Sequence, residues 1–332
     1  METLETSYGK LTGIANFMAY GDGALKSCIL NEENRVQSSV GELIPQFRQA
    51  ELGERQKKYR SSLDFHRNGM IKSASLQIAM PLETPLGVFN AELVTFFQDG
   101  SLNRLFPLNG QIDGYWSEQQ EGELAEVFDF DLPIGKFSTK VISLGFYPSG
   151  ALKSLTLWPG QRITIDTPAG AMQIRTGFSL YESGSVRSVE PAKPIELITP
   201  IGLIKAYDEE MLGMNADQNS VRFSEEGQIV SVKTIHSGVR AISADLSTQL
   251  TIEPLVTASL IDVRDKRTVP MTIDFDGDEL RVEADRNYTF NLSEDSVCTF
   301  DRVNVVRESC CGGGCSSAPC SGCEGGDSCC RS

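Results

Sequence analysis

The sequence predicts an all-β protein, an elongated antiparallel sheet of stacked β-hairpin repeats followed by a small β cap. Three observations support this fold class. A glycine-centred string recurs six times, a second string with Pro and Gly recurs between its copies, and the segments beside both strings alternate between apolar and polar residues. Alternation with a period of two is typical of half-buried strands, and a recurring string indicates a repeat architecture.

The first string predicts a strand, a tight turn and a second strand. In five of its six copies an aromatic residue or Leu stands four residues before the Gly, and in all six an aliphatic residue stands two residues after it. The polar residues before the Gly suit a type I turn, and the Gly takes the left-handed conformation that closes a hairpin. The six glycines are Gly23, Gly69, Gly100, Gly150, Gly184 and Gly227.

The second string places Thr or Leu directly before Pro and Gly two residues after the Pro. Its four copies are residues 84–87, 132–135, 167–170 and 199–202. This spacing predicts a type II turn, because Pro fixes the first central residue and Gly accepts a positive φ. The two kinds of turn alternate along an up-and-down meander.

We expect three regions. Residues 1–240 form the repeat domain, residues 241–305 form the terminal β cap, and residues 306–332 form a flexible tail rich in Cys, Gly and Ser. Two insertions interrupt the repeats. Residues 46–61 are polar and locally basic, which fits a short helix or a loop that either binds a partner or is a solvated excursion. Residues 109–124 fit one more hairpin.

The hairpin string over residues 11–234 resembles that of MORN-type and related bacterial β-hairpin repeat proteins. In those proteins an aromatic residue, a turn glycine and an aliphatic residue recur, and the hairpins stack into an elongated antiparallel sheet. The resemblance implies a scaffold that binds a protein partner through its surface and carries no catalytic chemistry of its own.

The charge balance excludes some classes of partner. With 30 Lys and Arg against 45 Asp and Glu, the net charge is −15, which repels nucleic acid phosphates and anionic lipid. The N-terminal residues do not resemble a secretory signal, and no segment approaches eighteen consecutive apolar residues. We therefore predict a cytoplasmic protein that binds neither nucleic acid nor membrane, and the oligomeric state stays open.

Few residues suggest catalysis or a site within the repeats. His66 stands where other copies carry an aromatic residue, so we interpret its ring as filling a strand position, and His236 stands near a turn. The Lys26-Ser27 pair lacks the preceding Gly that a phosphate loop needs. The carboxylates of residues 274–279 fit a charged hairpin tip better than a Ca²⁺ site, and residues 208–210 fit a solvated loop. The sequence therefore favours a protein that is not an enzyme.

The last residues carry the most distinctive chemistry. Seven of nine cysteines fall in the tail, between glycines and serines with little to bury. Thiolates are soft ligands, and the Cys-x-x-Cys spacing lets two sulfurs share one metal, so we predict a site for zinc, copper(I) or an iron–sulfur cluster and otherwise no cofactor. The predicted metal ligands are Cys310, Cys311, Cys315, Cys320, Cys323, Cys329 and Cys330.

Three alternatives for the tail stay open: disulfide or other redox chemistry, enzymatic modification by a partner enzyme, and a plain flexible tail of reduced thiols. The remaining Cys28 and Cys298 lie in β segments and are interpreted as small core residues. The sequence thus predicts a non-enzymatic repeat scaffold that binds a protein partner, with a C-terminal thiol cluster that binds a soft metal. The alternative is a tail that serves as a substrate for modification or thiol redox chemistry.

Overall fold

The computed structural model describes residues 2–51, 53–59, 61–209, 219–244, 247–258 and 266–302, and this part of the chain is almost entirely β-structure. The all-β prediction is confirmed. The first half holds β1 (Glu2–Thr6), β2 (Gly9–Ala19), β3 (Leu25–Leu30), β4 (Val36–Ser38), β5 (Gly41–Leu43), β6 (Leu63–Phe65), β7 (Ile71–Thr84), β8 (Gly87–Phe96), β9 (Leu102–Phe106), α1 (Glu118–Leu124), β10 (Val127–Leu132), β11 (Gly135–Phe146), β12 (Leu152–Leu157) and β13 (Ile163–Thr167).

The second half continues in the same way. It holds β14 (Gly170–Leu180), β15 (Val186–Pro191), β16 (Ile195–Thr199), β17 (Gly202–Ala206), β18 (Val221–Phe223), β19 (Ile229–Thr234), β20 (Ser237–Ile242), β21 (Gln249–Ile252), β22 (Val256–Ala258), β23 (Lys266–Thr268), β24 (Met271–Asp276), β25 (Glu279–Glu283), β26 (Asn287–Asn291) and β27 (Ser296–Asp301).

Eighteen of these strands form one main sheet. Its continuous antiparallel ladder runs β1-β2-β3-β6-β7-β8-β9-β11-β12-β14-β15-β18-β19-β24-β25-β26, while β10 and β13 pair with the N-terminal halves of β11 and β14. Because neighbouring strands lie about 4.8 Å apart, the ladder spans about 70 Å across its strands. The predicted elongated sheet of hairpins is confirmed.

The first kind of turn is the predicted one. All six glycines have φ between 81° and 90°, and each donates its N–H to the carbonyl of the residue three positions earlier. The strand after each turn carries a one-residue register shift. A type I turn followed by a left-handed Gly and a bulge matches the right-handed twist of the strands that it connects.

The second kind of turn was predicted as type II, and this assignment is wrong. Type II requires a positive φ at the second central residue, but in the described part of the chain Thr176 is the one residue other than glycine with a positive φ. The glycine lies after the two central residues, with φ of 118° at Gly87. The Thr84 hydroxyl instead supports the turn, because it accepts the Leu86 N–H at 3.1 Å and donates to the Gly87 carbonyl at 2.8 Å.

A single row of apolar residues forms the centre of the core. The row crosses the main sheet in register, one residue per strand, and each member is at most 1% exposed. The outer ends of the hairpins cover it, since the Phe137 ring of β11 meets the Phe178 ring of the row at 6.2 Å. The members of this apolar row are Cys28, Leu63, Ala74, Val94, Leu105, Leu144, Leu155, Phe178, Val189, Val221, Val232, Ile273 and Val282.

The segment predicted as an extra hairpin, residues 109–124, is a loop followed by α1, so that prediction is wrong. The Ser117 hydroxyl accepts the Gln120 N–H and the Gln120 side chain accepts the Ser117 N–H, which is a capping box. This reciprocal pair starts a helix where the chain has no strand partner. The described residues of the other insertion, 46–61, contain no helix.

The strands after residue 240 belong to three sheets. β24, β25 and β26 extend the main sheet, β21 and β27 pair with β20 in a three-stranded sheet, and β22 and β23 form a two-stranded sheet. Gly277 lies at the tip of the β24–β25 hairpin with φ of 59°, so the hairpin tip predicted there is confirmed. The domain boundaries at residues 240 and 305 stay predictions. Among the described residues, no helix has the length and hydropathy of a membrane span.

Candidate functional site

The face of the main sheet opposite the apolar row carries a second in-register row, which is polar. It runs one residue out of phase with the apolar row, so its side chains point to the other side of the sheet. Six of its fourteen members are Ser, each at most 7% exposed beneath longer neighbours. The members of this polar row are Ser27, Asp64, Ser73, Thr95, Arg104, Gly145, Ser154, Ser179, Ser188, Arg222, Ser231, Asp274, Arg281 and Thr289.

A groove of about 670 Å³ lies over the polar row at β7, β8 and β9. Ser73 and Thr95 belong to the polar row and Leu93 continues it along β8, so these three line the groove where the strands pass beneath it. Tyr59 closes one end, and the β8–β9 turn closes the other. The lining residues are Tyr59, His66, Lys72, Ser73, Leu93, Thr95, Phe96, Phe97, Gln98, Asp99 and Asn103.

Hydrogen bonds fix the Tyr59 end of the groove. The Tyr59 hydroxyl donates to Asp64 Oδ2, and the Ser73 hydroxyl donates to the same oxygen at 2.9 Å. Burial raises the pKa of Asp64, although the Ser73 hydroxyl and the ammonium groups of Lys72 and Lys26 oppose this change. The three side chains therefore form a rigid polar end wall, with the Lys72 cation beside it.

Aromatic residues line up along the turn edge of the same sheet. The side chain three positions before the turn glycine makes a hydrogen bond to a backbone carbonyl oxygen of the next repeat. This bond connects neighbouring hairpins. The bonds run from Tyr20 to Phe65 (2.8 Å), from His66 to Phe96 (3.0 Å), from Tyr147 to Leu180 (2.9 Å) and from Tyr181 to Phe223 (2.9 Å). The interpretation of His66 as a repeat ring is confirmed, and its Nε2 is engaged in this bond. Phe97 occupies the same position without a polar atom, and its ring lines the groove.

A buried ion network positions the insertion that supplies Tyr59. Two nitrogens of the Arg55 guanidinium bind the Glu92 carboxylate, each at 2.8 Å, and the guanidinium also binds Glu121 at 2.6 and 2.5 Å. Trp116 Nε1 donates to Glu121 at 2.6 Å and the Gly110 N–H donates to it at 2.8 Å. Burial raises the pKa of Glu121, but these hydrogen bonds and the Arg55 charge bring it below its usual value.

Two cations of the basic insertion, Arg55 and Lys57, are therefore anchored rather than solvated. The Arg55 side chain is 17% exposed, and the Lys57 ammonium donates to the Leu76 carbonyl. Burial lowers the pKa of Lys57, with the Glu92 charge opposing. The interpretation as a solvated excursion is wrong for Arg55 and Lys57, because the carboxylates that neutralise them come from distant positions in β8 and α1. The other described charged residues of the insertion are exposed, namely Arg48, Glu51, Glu54 and Lys58.

Another buried carboxylate lies further along the sheet. Glu190 of β15 is fully buried, accepts the Ser220 N–H at 2.8 Å and lies 3.7 Å from the Arg175 guanidinium. Burial raises its pKa to about 7. Asp208, predicted to lie in a solvated loop, is 6% exposed and 3.8 Å from Lys233, so the prediction is wrong for this residue. Glu209 is exposed as predicted, and residue 210 lies outside the described residues.

The predicted metal ligands, Cys310, Cys311, Cys315, Cys320, Cys323, Cys329 and Cys330, lie outside the described residues. Within the described ranges no three His, Cys, Asp or Glu side chains group so that they could hold a metal. Cys28 is buried in the apolar row as predicted, and burial raises the pKa of its thiol to about 12. Cys298 is exposed, so its assignment to the core is wrong.

Comparison with known proteins gives no relative: no family model, no curated protein and no solved structure matches the chain.

Proposed function

We propose that the protein is a non-enzymatic repeat scaffold that binds an extended segment of a protein partner in the groove over β7, β8 and β9. The observation that carries this proposal is the groove itself, about 670 Å³ over hydroxyl-bearing strands with an aromatic ring at one end and a cation at its side. The resemblance to MORN-type repeats is consistent with such a role. Function cannot be read from a fold alone.

The lining favours a particular kind of segment. Leu93 and Phe97 offer apolar surface, Ser73 and Thr95 offer hydroxyls, and Lys72 offers a positive charge. A peptide with one apolar side chain followed by a carboxylate would satisfy all three. Binding to an ordered groove costs less conformational entropy than binding to a mobile surface, and the buried Arg55 network holds the groove wall in place.

Phage-displayed random peptides selected on the immobilised full chain test the proposal. The selected peptides are then titrated against Lys72→Glu, Thr95→Arg and the matched control Lys153→Glu, which stands at the same repeat offset as Lys72 outside the groove. We expect at least about a tenfold loss of affinity in the two groove variants and none in the control. Equal affinity for all four proteins, or the absence of any selected peptide, would contradict the proposal.

The second part of the proposal concerns the tail, where the seven cysteines would bind zinc, copper(I) or an iron–sulfur cluster. The sequence spacing supports it, and a truncation ending at Val306 tests it. We expect metal in the full chain purified under reducing conditions and a loss of that metal in the truncation. Equal metal content in the full chain and the truncation would contradict metal binding by the tail. A mass increase confined to the tail of protein from its native host would favour enzymatic modification.

A further inference from the structure

The main sheet ends at β1, which covers only the first half of β2. The pairing with β1 extends from Gly9 to Ile14, whereas on the inner side β3 pairs with β2 as far as Ala19. Among the described strands, none pairs with the outer side of residues 15–19. We call these five residues the free edge.

The free edge is largely apolar and carries one bulge at Ala15, because β2 advances from Ile14 to Asn16 while β3 advances by a single residue. It reads Ala-Asn-Phe-Met-Ala, without a charge, Pro or Gly. Phe17 is 47% exposed and pairs with Cys28, so it extends the apolar row, while Met18 is 53% exposed and pairs with Ser27, so it extends the polar row. Sheet edges in soluble proteins usually carry charges, Pro or bulges that prevent further pairing. The bulge at Ala15 lies at the start of this edge, and residues 16–19 have none of these features on β2. An apolar side chain therefore stands uncovered on each face of this edge.

The opposite end of the sheet differs. The edge strand β26 alternates exposed Asn287, Thr289 and Asn291 with half-buried Tyr288 and Phe290. Its exposed residues are polar, and the charged Asp285 and Arg286 precede it. The less protected edge thus lies at the β2 end.

The geometry of the free edge suits a second copy of the same strand. Ile14 marks one limit, where Glu2 of β1 occupies the outer side, and the turn after Ala19 marks the other. Phe17 is the centre of this window. An antiparallel pairing of two free edges about a two-fold axis at Phe17 places residues 15–19 of one copy opposite residues 19–15 of the other. Phe17 then meets its own counterpart on the apolar face, because directly opposed residues in an antiparallel pair share a face.

Charge also favours self-pairing at this edge over a charged partner strand. The window holds no charge, so two copies meet without like-charge repulsion within it, although the chain as a whole carries −15. We propose that the protein self-associates through antiparallel pairing of the free edges of two chains, which joins two main sheets into one. Added salt should tighten the dimer, because it screens the repulsion between two acidic chains.

Sedimentation equilibrium of the full chain under reducing conditions tests the proposal over the micromolar range. Met18→Lys places a charge on the free edge, and Thr289→Lys places one at the same polar-row register on the opposite edge as a matched control. We expect a dimer in the wild type and in Thr289→Lys, at least about a tenfold weaker dimer in Met18→Lys, and a tighter wild-type dimer at higher salt. A monomeric wild type, or a dimer unaffected by Met18→Lys, would overturn the proposal.

A photo-crosslinking residue at position 18 identifies the occupant. Crosslinked peptides from residues 14–20 of a second chain support the self-pairing, and a mixture of two differently tagged chains separates intermolecular from intramolecular products. Crosslinks to residues 303–332 or to any other surface would overturn it. Normal circular dichroism of Met18→Lys shows that a weaker dimer does not follow from unfolding.

Discussion

The hydroxyl of Tyr181 donates a hydrogen bond of 2.9 Å to the carbonyl oxygen of Phe223, across 42 residues of sequence. Tyr20, His66 and Tyr147 make the same kind of bond to the following repeat. The position three residues before the turn glycine therefore has two functions. It starts its own turn, and it holds the next hairpin in register.

Replacing Tyr181 with Phe should destabilise the protein by about 1 kcal/mol, since the ring stays but a part-buried carbonyl loses its donor. The natural Phe97 at the same repeat position indicates that the ring alone fits there. Urea unfolding followed by circular dichroism measures the change as a lower midpoint. Tyr115→Phe is the control, because Tyr115 is an exposed tyrosine, and a loss of similar size in both variants would refute the inter-repeat role.

The Glu121 carboxylate neutralises Arg55 and accepts two further donors, the Gly110 N–H and Trp116 Nε1. Glu121→Gln should therefore cost about 3–5 kcal/mol by leaving a buried guanidinium underpaired. The change should also loosen the insertion that carries Tyr59. Thermal unfolding measures the first effect. Hydrogen exchange in residues 53–59 measures the second.

The matched control is the exposed pair of Lys136 and Asp131, 2.6 Å apart. Asp131→Asn should change stability by less than about 1 kcal/mol, because solvent screens this pair. If Glu121→Gln and Asp131→Asn had the same small effect, the Arg55 network would not anchor the insertion.

Gly177→Ala should be far more disruptive than Gly160→Ala. Both glycines have a positive φ, 151° and 81°. A methyl group at Gly177 would overlap the Leu155 carbonyl of the neighbouring strand, whereas one at Gly160 would meet open space. We expect a loss of about 1 kcal/mol at Gly160 from backbone strain alone. At Gly177 we expect a several-fold larger loss, seen as a lower melting temperature, and equal losses would show that the close approach at β14 is not needed.

The hairpin pattern was predictable from the sequence because the residues that each turn requires are adjacent in the chain. The left-handed position of the turn needs a glycine whatever the rest of the chain does, so Gly23 and Gly227 predict the same turn at distant positions in the sheet. The same reasoning applies to two members of the second turn family that the string missed, residues 6–9 and 38–41. There Thr6 and Ser38 make the same hydroxyl bonds without a Pro, so Ser or Thr three residues before Gly is the more general signal.

The groove and the ion network were not predictable in the same way. Arg55, Glu92 and Glu121 are far apart in the sequence, and only the stacking of β8 against the two insertions brings them together. Glu92 gave one local signal, because it alternates with Val94 and Phe96 on the same buried face of β8. A charged residue on the buried face of a strand indicates a buried partner, but it does not identify that partner. The capping box at Ser117 was a stronger local signal for α1 than the Gly residues that suggested a hairpin.

Glu190 should make the protein less stable as the pH rises. Burial raises its pKa in the folded state to about 7, against an ordinary value of 4.5. Between these two values the unfolded chain releases the proton while the folded protein keeps it, so the folded state binds more protons and stability falls with increasing pH. The Arg175 charge and the Ser220 N–H limit the shift, and Asp208 adds to it. The loss over this window is on the order of 3 kcal/mol.

Glu190→Gln removes this titration while keeping the shape of the side chain. The free energy of unfolding in urea, measured at about pH 5 and about pH 8, should therefore fall less in the variant than in the wild type. The comparison uses the change in the free energy of unfolding with pH. A loss of stability from the altered Arg175 contact that is the same at both pH values therefore does not affect it. Glu121, with its lowered pKa, loses its contribution only as the pH falls below about 4.5 and lies outside this window. Equal slopes in the two proteins would mean that Glu190 is already ionised at the lower pH, despite its burial.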